Sequence, residues 1–406
     1  MRWILALLAT TLVAIAAGVE APTGFDDLSN GVTDQATHTT NKETFDEVEE
    51  AGEGLGPIYN AQSCRECHQN PISGGGSQVT ELRAGRLVRG RFQNPAVPIN
   101  HGQEVIRGRS LINDRAICPN AQEHVPKGNP IRALRISLNL LGDGFVEAIP
   151  DAMLAALARA NGGIALKVPI LEAPGAGAIG RFGWKTQHAS LLSFSADAYL
   201  NEMGITNRLL PNEITTVCQP EGVPQPNDQS NDIDKFAQFM RATKAPPRDE
   251  VLAALPEAKI GERAFRRIGC ERCHVSTFTT APAGTKINGE TFTIPDVLGN
   301  KTFHPFSDFL LHNVGTGDGI GIATVEHFGA QAGYMKRSDI DLTRHRMRTA
   351  PLWGLRVRPR LMHDGGSLTI FDAILRHRGE ANVAARRFER LPTNEQNNLL
   401  VFLRSL

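Results

Sequence analysis

The pattern C-x-x-C-H occurs twice in this chain, as Cys64-Arg65-Glu66-Cys67-His68 and as Cys270-Glu271-Arg272-Cys273-His274, and takes four of the six cysteines. With this composition one copy should arise by chance only ~0.003 times, so two are a constraint on the fold. Two thiols three positions apart suit thioether bonds to the two vinyl groups of a haem, and the histidine that follows meets the iron. His68 and His274 are therefore expected as proximal ligands. A zinc or dithiol site is the alternative for a C-x-x-C pair. Two copies, each followed directly by histidine, argue against it. The 406 residues are enough for two domains, each with its own core.

Met1-Arg2 makes a short basic start, and residues 3–17 are apolar. Val19 and Ala21 are small residues suited to cleavage after Ala21, so 1–21 reads as a secretory signal peptide. An uncleaved anchor is the alternative, but the apolar run is shorter than a full span. The mature protein is expected to be soluble and periplasmic, with no stable membrane insertion. Covalent haem is attached outside the bacterial cytoplasm, which agrees. The formal net charge is zero, and nothing suggests the basic face that nucleic-acid binding needs. In an oxidising compartment the remaining cysteines, Cys118 and Cys218, are expected to pair. Two separate buried thiols are the alternative.

Residues 22–52 are polar and acidic and read as an extended N-terminal arm. The first motif follows, and Gly74-Gly75-Gly76 should form a loop near its haem. Helical periodicity marks 151–161, 186–203 and 233–243. Ala245-Pro246-Pro247 then breaks the chain, placing one haem domain at 53–245 and a second at 246–406. An aromatic residue lies five before the first cysteine of each motif, Tyr59 and Phe265. Residues 276–303 read as irregular. Ser367 is a candidate cap for a helix to about 378, and Thr393 with Gln396 has a capping-box pattern before a last helix. Strand signals are weak, so the expected class is mainly α, with two cytochrome c-like haem domains and long irregular loops.

The far-side ligand sets what each iron does: methionine or histidine closes it for electron transfer, and methionine raises the potential. Met347 lies in a loop-like run flanked by arginines. Residues 342–363 hold six arginines and no acid, a pattern that suits haem propionates, a docking patch for a redox partner, or a solvated face.

Around Met347 the chain becomes recognisable. Residues 347–355 (M-R-T-A-P-L-W-G-L), 361–365 (L-M-H-D-G) and 375–380 resemble the C-terminal half of bacterial di-haem cytochrome c peroxidases. The nearest resemblance is to their di-haem oxidoreductase branch. It extends to Leu55-Gly56-Pro57, 147–150 (E-A-I-P), 180–185 (G-R-F-G-W-K) and 203–206 (M-G-I-T). The resemblance implies that Met347 is the far-side ligand of the C-terminal haem, with His345 as its rival. It implies that Trp184 stands between the haems and that Glu202 is the acid–base group beside a peroxide-binding N-terminal haem. It also implies a small soluble electron donor, a cytochrome c or copper protein, and allows a calcium ion between the domains.

One departure stands out. The peroxidases carry a glutamine about ten residues before that acid, whereas this chain has Leu191-Leu192-Ser193-Phe194-Ser195. The sixth ligand of the N-terminal haem is open, with His101 and His124 in the same domain. His363 is expected near the C-terminal haem, and His304 and His312 have no role. The leading expectation is hydrogen peroxide reduction. The alternatives are an electron carrier without substrate, or a peroxide-driven oxidase of a protein or organic substrate.

Overall fold

The computed structural model describes residues 18–321 and 341–406. The apolar run of the expected signal peptide, 1–17, lies outside them. The described chain already takes part in the fold from its first residues. Val19–Glu20 pairs in parallel with Lys301 and Thr302, and Ala21 is buried. A cut after Ala21 would remove that strand.

The expectation of a mainly α fold is wrong. Helices hold 32% of the residues and strands 17%, the latter in many small sheets. The largest is built on Thr80–Val88, which pairs antiparallel with Arg91–Gln93, Leu111–Ile112 and Ile131–Ile136. Its strands were hidden because one face carries charge. Glu81 and Arg83 alternate with Leu82 and Ala84, and Arg135 opposite Glu81 is buried. Ion pairing inside the fold satisfies these side chains, and the apolar alternation is too short to mark a strand, since Gly85 interrupts it after Leu82 and Ala84. Residues 276–303 likewise contain the short strands Phe278–Thr279, Lys286–Ile287, Phe292–Thr293 and Lys301–Phe303.

The arm at 22–52 is not simply extended. It contains the helix Gln35–Asp46, started by the Asp34 side chain, which accepts from the Thr37 N–H. Only Phe45 is apolar among its buried residues; the others are His38 and Asn41. That stripe has helical spacing but a polar composition, which periodicity of apolar residues cannot detect. The helix packs on Asp232–Ala242, which also packs on Leu191–Met203. Two further starts differ from expectation. Thr369, not Ser367, caps Ile370–Leu375, and Thr393 lies inside the helix Thr393–Arg404 rather than at its cap.

The two largest apolar cores among the described residues lie at the two motifs. One joins Phe45, Tyr199, Phe236 and Phe239 around the first motif, with Cys64 packed against it. The other joins Phe265, Phe306, Leu399 and Phe402 around the second, where Pro256–Ile268 packs along Thr393–Arg404. The first motif is held to Leu191–Met203 by a backbone crossing. A Cβ on Gly56 would lie 2.3 Å from the Gly204 carbonyl oxygen, and Gly204 itself has φ +70. Only glycine satisfies both demands.

Cys118 and Cys218 are joined across a sequence separation of 100. Closing so long a loop restricts the unfolded chain. The double variant C118S/C218S should lose about 2–4 kcal/mol in denaturant unfolding of the oxidised protein. An unchanged midpoint and slope would show that the bridge is dispensable.

Candidate functional site

The second motif opens on a cavity of about 310 Å³, within the ~300–1,000 Å³ range of small-molecule sites. Cys270, Cys273 and His274 line it on one side and Met347 on another. Its walls include Phe265, Ile268, Leu355, Leu399 and Leu403. The helix Pro256–Ile268 ends at Gly269 in the left-handed region, which turns the chain directly into Cys270. The Nδ1 of His274 lies 2.9 Å from the Phe306 carbonyl. As a donor there it leaves Nε2 free to bind a metal. Met347 sits on the strand Met347–Arg348, paired with Leu311–His312, and is 4% exposed. His345 is exposed, so Met347 is the member of that pair that faces the cavity.

The same cavity receives two buried guanidiniums. Burial lowers Arg348 and Arg358 to about 10; Arg348 donates to the Gly183 carbonyl and also feels the charge of Asp143, and Arg358 donates to the Trp353 carbonyl. Arg358, whose side chain meets a backbone carbonyl rather than an acid, fits a group that brings carboxylates, as a haem does with its propionates. The thiol pair, the tautomer-fixed histidine, the thioether and the apolar walls fit the rest of that group.

The first motif forms the short helix Cys64–Cys67, capped by the Ser63 side chain. His68 Nδ1 lies 3.2 Å from the Gly75 carbonyl, so the glycine run does approach this histidine. Burial lowers both His68 and His274 to about 4, which keeps the imidazoles neutral as metal ligands require. Cys64, Cys67, Cys270 and Cys273 are all outside disulfides. His101 and His124 are both exposed.

Glu202 lies in the last turn of Leu191–Met203 and its charge is felt at Cys67. Its carboxylate accepts from Asn60 Nδ2 at 2.7 Å, and Asn60 is itself fixed by the Asp114 N–H at 2.9 Å. Sequence reading missed its partner. Glu81, from the sheet, shares a hydrogen bond with Glu202. Two carboxyl groups in hydrogen-bond contact must hold a proton between them. Burial, then the Glu81 charge, raises Glu202 to about 8. Burial acts against ionisation of Glu81 too, but the Arg83 guanidinium at 2.8 Å and Arg135 at 3.7 Å hold it below the usual range. Near neutral pH the pair is one acid and one base.

The stretch that replaces the glutamine serves the core instead. Ser193 donates to Glu172, Ser195 to the Leu191 carbonyl, and Phe194 stacks on Phe182 and His188.

Trp184 connects the two regions. It lines the second cavity together with Asn70, Gly76, Ser77, Ser137 and Leu138, which flank the first motif. Its Nε1–H donates to the Ile136 carbonyl at 2.8 Å, and its ring meets His363 edge-on at 6.1 Å. The next residue, Lys185, is buried and bonds Asp318 at 2.9 Å, which bonds Arg135 at 2.8 Å. A buried charged chain therefore runs from Lys185 through Asp318 and Arg135 to Glu81.

His312, unassigned in the sequence, is held by Asp308 and Glu380, each at 2.8 Å. Among the described residues, Cys273, Asp308 and His312 form the one grouping of such side chains compact enough for a metal. A thiol and an imidazole do not suit calcium, which takes oxygen ligands. No described helix is long and apolar enough to cross a membrane.

Comparison with known proteins gives the following. The family described as "Di-haem oxidoreductase, putative peroxidase" matches residues 119–406, beginning after the first motif. No curated protein matches the chain. Three solved structures are similar at 14% identity. They are the hydrazine synthase of Kuenenia stuttgartiensis, covering 100% of both chains with a TM-score of 0.40; a MauG-like protein associated with microbial copper homeostasis, covering 100% of this chain and 95% of its own, also 0.40; and a variant of the diheme peroxidase BthA of Burkholderia thailandensis, covering 96% and 91%, at 0.42.

Proposed function

This chain belongs to the di-haem oxidoreductase family, and from that premise we propose that it is an exported enzyme that reduces hydrogen peroxide with electrons from a small soluble redox protein. The observation that carries this reading is the Glu81–Glu202 pair beside the first motif. The pair is the equipment for moving a proton between the two oxygens of a peroxide.

The residues divide the work. Cys64, Cys67 and His68 would hold one haem, and Cys270, Cys273, His274 and Met347 would hold the other and suit it to electron transfer. When bound, the haems supply the electrons and the iron site at which peroxide is cleaved. Glu81, kept ionised by Arg83 and Arg135, takes a proton. Glu202, kept protonated by burial and by Glu81, gives one to the leaving oxygen. Trp184 lies on the route between the haems and shortens the electron hop. Its neighbour Lys185 ties that route to the carboxyl pair through Asp318 and Arg135. Arg348 and Arg358 neutralise propionates of the second haem. The arginines of 342–363 outside that cavity pair, Arg344, Arg346, Arg356 and Arg360, make the docking face for the donor.

The missing glutamine favours a second reading, an electron carrier without substrate. In that case both irons stay six-coordinate in the half-reduced protein.

Steady-state assays with a reduced cytochrome or an artificial donor separate the two. Turnover of hydrogen peroxide well above free haem is expected. Because Glu202 must be protonated to act, and its folded value is raised to about 8, activity should be full below that pH and fall as pH rises through it. Turnover no better than free haem would sink the enzyme reading. Turnover without an alkaline limb would remove Glu202 from the mechanism.

A further inference from the structure

Tyr199 is buried on the same helix as Glu202, one turn earlier, and the acid–base scheme makes no use of it. The chain has only three tyrosines. The Tyr199 hydroxyl donates to Glu49 Oε1 at 2.7 Å, and Glu49 is buried too. Glu49 is held in place from the first motif's approach. Its N–H donates to the Gln62 carbonyl at 2.8 Å, and its own carbonyl accepts from Gln62 Nε2 at 3.2 Å.

Both groups stand beside the first haem position. The charges of Glu49 and Tyr199 are each felt at Cys64, or Cys64 at them. A continuous set of rings links Tyr199 to the proximal ligand. Tyr199 meets Phe236 edge-on at 5.0 Å, Phe236 meets Phe45 at 6.1 Å, and Phe45 lies 6.4 Å from His68.

A buried phenol is satisfied by any backbone carbonyl. Burying a carboxylate to receive it is the more costly choice, since an ionised group leaves water at a large penalty. What the carboxylate adds is basicity. A phenol that loses an electron becomes a strong acid, and in an apolar core it can shed its proton only to a base already in hydrogen-bond contact.

We propose that Tyr199 and Glu49 form a proton-coupled redox site, in which Tyr199 yields one electron to the peroxide-oxidised first haem and its phenolic proton to Glu49. The inference rests on the peroxide-reducing reading above. The balance is complete. The haem loses one oxidising equivalent, the O–H bond of Tyr199 breaks, an O–H bond forms on Glu49, and a neutral tyrosyl radical faces a neutral acid. One electron from the second haem, and the proton from Glu49, restore the pair. The site stores an oxidising equivalent when the donor is scarce.

Glu49 must be ionised to accept. Burial, opposed by the bond from Tyr199 and reinforced by the charges of Glu47, Asp232 and Glu53, raises it to about 7. Radical yield should therefore rise with pH through about 7.

The test is rapid freeze-quench electron paramagnetic resonance of the holoprotein after mixing with hydrogen peroxide, with and without ring-deuterated tyrosine. A radical signal that narrows on deuteration is expected. It should be absent from Y199F, and in E49Q it should drop several-fold and lose its pH dependence. An oxidised haem spectrum with no tyrosine-derived signal, or a signal that survives in Y199F, overturns this proposal alone. A haem spectrum unmoved by peroxide overturns it together with the peroxide-reducing reading. The isotope experiment identifies a tyrosine radical without any substitution, and Y59F, which should keep the signal, assigns it to Tyr199 even if Y199F fails to fold; loss of the signal in Y59F overturns the assignment.

Discussion

Replacing Met347 by alanine should lower the potential of the second haem by a sizeable part of the ~0.8 V range that axial ligands span. The Met347 thioether lines that cavity from the strand Met347–Arg348, and its rival His345 is exposed. M347A leaves an open or water-bound iron, so the optical spectrum of this haem should turn high-spin in both oxidation states. Spectroelectrochemical titration reads both effects. Peroxide turnover should fall with them, because the first haem would lose its electron supply. A low-spin spectrum with an unmoved potential would mean that another cavity residue, His363 or His377, is the true ligand.

E202Q should lower peroxide turnover by about 10²–10⁴, the usual worth of a positioned acid–base group. The amide keeps the size of the side chain and can still bond Asn60 and Glu81, so haem binding and both resting spectra should stay as they are. It cannot exchange a proton, so the alkaline limb near pH 8 should vanish along with the rate. The same variant with full activity would show that the pair is a structural contact. Stopped-flow mixing with peroxide, before any donor is added, places the lost step at the first haem rather than in electron delivery.

Much of the helical framework could be read from the letters, because helices announce themselves over short windows. The helix Asp151–Asn161 stands where periodicity put it, and Asp232–Ala242 is displaced by one residue. The helix of 186–203 starts later, at Leu191, because Ser190 caps it and Thr186 has a positive φ. Gln35–Asp46 was invisible because its buried stripe is polar. The sheet around Thr80–Val88 was invisible because its apolar alternation is short and its other face is charged, and charge is tolerable there only when Arg83, Arg135 and Asp318 close the pairs.

The thiols and histidines of both motifs could be picked out as haem-attachment candidates from the sequence alone. Attachment chemistry depends on residues within a single turn of chain, and five consecutive letters carry it. The family resemblance extended that to Met347, Trp184 and Glu202, each a single residue embedded in a local motif. Only the tertiary structure decided what Glu202 meets. Glu81, Arg83, Arg135, Asp318 and Lys185 come from distant segments and have ordinary letters. Their chemistry arises from burial and mutual contact, which shift proton affinities and force charges to pair. The same holds for Tyr199 and Glu49, brought together across the core beside the first motif.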